Sequence, residues 1–101
     1  MDQLKKTRII FYDGFLDTDW YCLPESVQRE LLGFLEELQD SPDAPHLRAR
    51  CDVDKKGRLA YPLPDRYWLY LRIEVDRAEL SLTDSREFRI NVLDVRHLPL
   101  V

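Results

Sequence analysis

The stretch from Val27 to Leu38 constrains the fold of this chain more than any other. Val27, Leu31, Phe34, Leu35 and Leu38 recur at the spacing of one helical face, while Glu30, Glu36, Glu37 and Gln39 fall elsewhere on the cylinder. A helix with one apolar stripe must lie against another layer. Pro24 suits the first helical turn, where its missing amide hydrogen costs nothing, and Glu25 suits the positive end of the helix dipole. Asp40-Ser41-Pro42 ends the helix, because a residue before proline is pushed out of the α region, and Pro45 is expected to keep the link that follows extended.

Beyond Pro45 the period changes from helical to two-residue alternation. Leu47, Ala49, Cys51 and Val53 alternate with His46, Arg48, Arg50 and Asp52, which predicts a strand with one apolar and one basic face. Asp54-Lys55-Lys56-Gly57 reads as a hairpin turn with glycine at its end, and Arg58 to Leu63 as the returning strand, limited by Pro62 and Pro64. Tyr67 to Val75 is a further strand, with Tyr67, Leu69, Leu71, Ile73 and Val75 on the core side and Trp68, Tyr70, Arg72 and Glu74 on the other. Leu80 and Leu82 lie in a stretch, Arg77 to Glu87, that reads equally as strand or loop. Phe88, Ile90 and Val92, with Leu93 and Val95 behind them, read as a central strand buried on both sides. Near the N-terminus, Thr7 to Tyr12 is β-branched and aromatic up to the turn pair Asp13-Gly14, and Phe15, Leu16, Trp20 and Leu23 fit a short helix.

These elements define an α+β domain: an N-terminal strand and helices packed on a small, mostly antiparallel sheet, with one sheet face left partly open. The 101 residues suffice for one such domain. The mixture of 45% hydrophobic and 34% charged residues excludes a disordered chain, and no apolar run is long enough to span a bilayer. Met1 to Lys6 is polar and leads into a strand, so the expectation is a cytoplasmic protein without a membrane partner. Cys22 and Cys51 are far apart with no histidine at ligand spacing, and no glycine-rich phosphate loop, nucleophile elbow or metal-ligating carboxylate cluster occurs. No metal and no cofactor are expected.

The net charge of −4 is unevenly spread. Between His46 and Arg72 seven basic residues (Arg48, Arg50, Lys55, Lys56, Arg58, Arg66, Arg72) face three acidic ones, leaving the rest of the chain strongly acidic. A positive segment in an acidic body serves either an anionic partner or a solvated sheet face.

Leu23-Pro24, the helix down to Pro42, the strand pattern from Tyr67 to Ile73 and the run from Ile90 to His97 resemble the small bacterial toxins of the RelE/ParE superfamily. The resemblance covers nearly the whole chain. It implies the toxin component of a type II toxin–antitoxin pair, and in the RelE branch a metal-independent, ribosome-dependent mRNA endonuclease. There a ribose 2′-hydroxyl attacks the adjacent phosphate, which requires a base, an acid and cations for the developing charge. On that reading Arg58, Arg66, Arg96 and His97 converge as catalytic residues, the arginines binding phosphate oxygens and the imidazole moving protons. Arg48, Arg50, Lys55, Lys56, Tyr67, Trp68, Tyr70 and Arg72 would form the RNA- or partner-binding surface. Tyr67 aligns with a tyrosine that the family follows with arginine; here Trp68 follows it and Arg66 precedes it. No tyrosine follows His97. The alternative is a ParE-like inhibitor of DNA gyrase, or a non-catalytic member that binds protein. Either way the resemblance implies a cognate antitoxin, with the ribosome and mRNA as further partners of an active nuclease.

Overall fold

In a computed structural model, the structure describes residues 5–77 and 86–98, so Leu80 and Leu82 lie outside the described residues. The chain runs β1 (Lys5–Phe11), a π-helical turn (Phe15–Asp19), α1 (Trp20–Cys22), α2 (Glu25–Asp40), α3 (Pro45–Arg48), β2 (Asp52–Val53), β3 (Leu59–Pro62), a 3₁₀ turn (Pro64–Arg66), β4 (Tyr67–Arg77) and β5 (Arg86–His97). The five strands form one sheet in the order β1-β5-β4-β3-β2. Among the described residues only β1 and β5 pair in parallel, and the other three pairs are antiparallel. This is the α+β class expected.

Helix α2 buries Val27, Leu31, Phe34, Leu35 and Leu38, the stripe read from the sequence. They meet Leu69 and Leu71 of β4, Ile90 and Val92 of β5, Tyr61 and Leu63, and Phe15 from the π-helical turn. Pro24 stands one position earlier than the first turn, as the N-cap, its carbonyl accepting from the Gln28 amide. Phe15 is held by three aromatic neighbours, Phe11, Tyr12 and Trp20. Among the described residues no helix is long and apolar enough to cross a membrane.

The expected strand from His46 to Val53 is instead the end of a short helix, a turn over 49–51 and only two strand residues. Pro45 does not extend the link but starts α3: its fixed φ suits a first helical position, and the amides of Arg48 and Ala49 reach back to the carbonyls of Ala44 and Pro45. Leu47 plugs into the core, Cys51 is half-buried, and Val53, at 69% exposure, lies on the sheet edge in a strand of two residues. The alternation was therefore a coincidence of composition, and it scatters its basic residues: Arg48 stays in the helical layer and Arg50 turns toward α2.

The hairpin at Asp54 to Gly57 forms as read. The Gly57 amide donates to the Asp54 carbonyl, the Asp54 amide to the Arg58 carbonyl, and Gly57 takes the left-handed conformation (φ 79°). In β4 the predicted alternation holds from Tyr67 to Ile73, with Leu69 and Leu71 fully buried, but Val75, expected on the core side, is 44% exposed and stands outside the core cluster. Strand β5 departs from the reading. It is central, between β1 and β4, but buried on one face only: Phe88, Ile90 and Val92 alternate with half-buried Arg89 and Asn91. Tyr70 pairs with Asp94 and Leu71 with Val92, which leaves Leu93 as an extra residue, a β-bulge. The bulge shifts the phase, so Val92 and Val95 both turn toward the helices.

Candidate functional site

Cross-strand partners share a sheet face, so the register assigns each candidate residue to a side. No described helix covers the face that carries Trp68 and Arg96 (a pair), Tyr70 and Asp94 (a pair), Arg72 and Asn91 (a pair), and Ala60 beside Tyr70. Small Ala60 leaves room beside the Tyr70 ring. Two guanidiniums use it from the two flanking sides: that of Arg58 lies 4.7 Å and that of Arg96 5.8 Å from the ring centroid. Each is anchored by a carboxylate through Nε, Arg58 to Asp54 at 2.6 Å and Arg96 to Asp94 at 2.6 Å.

The two anchors differ in surroundings. The Asp54–Arg58 side chains are about one-fifth exposed (22% and 19%), within the β2–β3 turn, where Asp54 also accepts from the amides of Lys56 and Arg58. Partial desolvation works to raise the Asp54 carboxyl, but these hydrogen bonds and the Arg58 charge outweigh it and hold the group below the usual carboxylate range. The Asp94–Arg96 pair lies further out, at 33% and 55% exposure; the carboxylate's hydrogen bond and charge raise the guanidinium further above its ordinary value. Trp68 and Tyr70 are half-buried rather than projecting, and Arg72 reaches across to the Lys56 carbonyl.

The other predicted residues are elsewhere. His97 pairs with Tyr67 and stacks on its ring at 4.4 Å, on the face toward the helices, because consecutive strand residues point to opposite sides. Tyr67 itself packs against the core cluster. Arg66 sits just before β4, exposed, with a left-handed backbone (φ 64°), as does Asp65 before it (φ 59°); its carbonyl accepts from the Leu98 amide. Two successive non-glycine residues in this region are strained. Arg50 belongs to a different cluster, donating to Glu37 and to the Tyr61 hydroxyl, which in turn donates to Glu30. Arg48, Lys55 and Lys56 are exposed, the lysines on the hairpin tip. Of the four residues assigned catalysis, the structure thus brings together Arg58 and Arg96, leaves Arg66 at the strand entrance, and turns His97 to the opposite face.

Asp54 and Asp94 escaped the sequence reading. Asp94 was legible: residues two apart on a strand share a face, so Asp94 and Arg96 are a ready ion pair. Asp54 was hidden by its turn role. A concavity of about 220 Å³, lined by Glu37, Asp40, Ser41, His46 and Leu47, lies in the helical layer, on the other side of the sheet from Tyr70. Among the described residues no His, Cys, Asp and Glu cluster is arranged to hold a metal ion. No family model, no curated protein and no solved structure matches this chain.

Proposed function

We propose that this protein is the cytoplasmic toxin of a type II toxin–antitoxin pair, resembling the RelE/ParE superfamily, and that it engages its target with the helix-free sheet face. The observation that carries this reading is the meeting of Arg58 and Arg96 on the Tyr70 ring. Arginine forks can bind two phosphate oxygens each, and two of them on one open face suit an RNA backbone. As a ribosome-dependent mRNA endonuclease, the protein would use Arg58 and Arg96 to stabilise charge on the phosphorane as the 2′-hydroxyl attacks. A cognate antitoxin would cover this surface in the resting complex.

One observation favours the second reading, a non-cleaving member that binds gyrase or another protein. His97, the candidate proton carrier, is stacked on Tyr67 on the helix side and does not share a face with the two arginines. Induced expression of the chain in bacterial cells, beside an Arg58→Ala, Arg66→Ala, His97→Ala variant, with mapping of mRNA 5′ ends, separates the two. Growth arrest with new cleavages inside translated codons, lost in the variant, supports the nuclease. Arrest without cleavage supports a protein target, and absence of arrest refutes the toxin role.

A further inference from the structure

On the open face, each guanidinium of the Arg58–Tyr70–Arg96 cluster spends its Nε hydrogen on an aspartate, at 2.6 Å in both cases. The terminal Nη groups, which form the fork that recognises phosphate, donate no hydrogen bond among the described residues. Each guanidinium is also near the same aromatic ring, so it is restrained both by an ion pair and by a ring. An arginine side chain otherwise loses considerable rotamer freedom on binding, and restraint in advance lowers that cost.

We infer that Asp54 and Asp94 are positioning residues, holding Arg58 and Arg96 by Nε against Tyr70 so that their free forks present a preorganised site for the phosphodiester backbone of single-stranded RNA. The inference rests on the reading of this face as the target-binding surface and adds how its arginines are held. Half-buried Trp68, cross-strand from Arg96, borders the site on the same face.

The assignment makes a prediction of unusual sign. If Asp94 acted only through charge, its removal would make the face more positive and tighten binding to an anion. If it positions Arg96, removal frees the guanidinium and weakens binding. Asp94 is the better test site, because among the described residues its side chain hydrogen-bonds only Arg96 whereas Asp54 also holds the hairpin turn.

The experiment is fluorescence anisotropy of a labelled single-stranded RNA decanucleotide titrated with the full-length chain at low salt, with circular dichroism to verify folding. Arg58→Ala and Arg96→Ala are expected to weaken binding roughly tenfold each, the scale of a charge-assisted hydrogen-bond pair at a partly exposed site. Asp94→Ala is expected to weaken it about three- to fivefold and Asp94→Asn less, since the amide oxygen still accepts from Nε. Tighter or unchanged binding by Asp94→Ala, with the arginine variants still weakened, overturns the positioning role and leaves the surface assignment standing. Wild-type binding that Arg58→Ala and Arg96→Ala leave intact overturns the surface assignment itself. Absence of RNA binding by the wild type overturns the RNA assignment and points to a protein target for this face.

Discussion

Phe34 is the residue whose loss should cost this domain most. Its ring is 1% exposed and stacks on Tyr61 with centroids 3.7 Å apart and planes 4° from parallel, joining α2 to β3. The Arg50 guanidinium lies 5.6 Å from the centroids of both rings. Truncation to alanine removes a buried aromatic, which costs about 3–5 kcal/mol through lost transfer energy and the cavity left behind. Loss of the ring stack contributes about 1 kcal/mol within that total, and the half-exposed cation adds no more than about 1 kcal/mol. Phe34→Ala should therefore destabilise the domain by about 4 kcal/mol, most of the stability of a small domain, and lower its midpoint by roughly 15–30 °C. Phe34→Leu, which keeps much of the volume, should cost about 1–1.5 kcal/mol. Urea unfolding followed by the fluorescence of Trp20 and Trp68 measures both, and a double-mutant cycle with Arg50→Ala should return a coupling of about 0.5–1 kcal/mol. A loss below about 1.5 kcal/mol for Phe34→Ala would refute the claim that this ring joins the layers.

Three further outcomes are expected. Gly57→Ala should cost about 1 kcal/mol in urea unfolding purely through backbone strain at φ 79°, because nothing lies within 4 Å of the added methyl. Arg66→Gly should stabilise the domain by about 1 kcal/mol and raise its unfolding midpoint, since it relieves a left-handed non-glycine residue; in the toxicity assay the same change tests whether that strain serves Arg66. Burial pushes the Cys51 thiol up to about 11, so it should resist iodoacetamide at pH 8 while exposed Cys22 reacts. The folded state then holds the Cys51 proton more tightly than the unfolded chain does. Its contribution to stability is complete below the ordinary thiol value of about 8.5 and is lost as pH rises toward about 11. Chemical unfolding across that range should show the decline, reduced in Cys51→Ser; desolvation and hydrogen bonding to Asp19 and Glu30 raise Tyr12 and Tyr61 and carry the remainder to higher pH.

The elements most legible in the sequence were those in which one strong period ran uninterrupted. The α2 stripe and the β4 alternation each had at least four apolar positions in phase, and burial of one face fixes both. The stretch from Pro45 to Val53 misled because alternating apolar residues also arise in a short helix followed by turns; the proline, read as a spacer, was the helix start. In β5 the bulge at Leu93 breaks the period of two, so Val92, Leu93 and Val95 read as a strand apolar on both faces when the phase had slipped. The slip also sets which of Arg96 and His97 faces outward, while ordinary alternation keeps the two on opposite sides. The Arg58–Tyr70–Arg96 grouping was visible only in part, since it depends on the β3–β4–β5 register, which no local pattern specifies.

The extra residue in β5 also has a genetic meaning. Deleting one codon at Leu93 would remove the bulge and restore unbroken alternation while leaving every later residue on its present side, Arg96 on the open face and His97 toward the helices. The bulge residue can thus be lost in one in-frame deletion with both faces of the strand keeping the residues they present. A codon lost at the bulge is silent to the open face, whereas one lost beyond it, at Val95, would exchange the sides of Arg96 and His97.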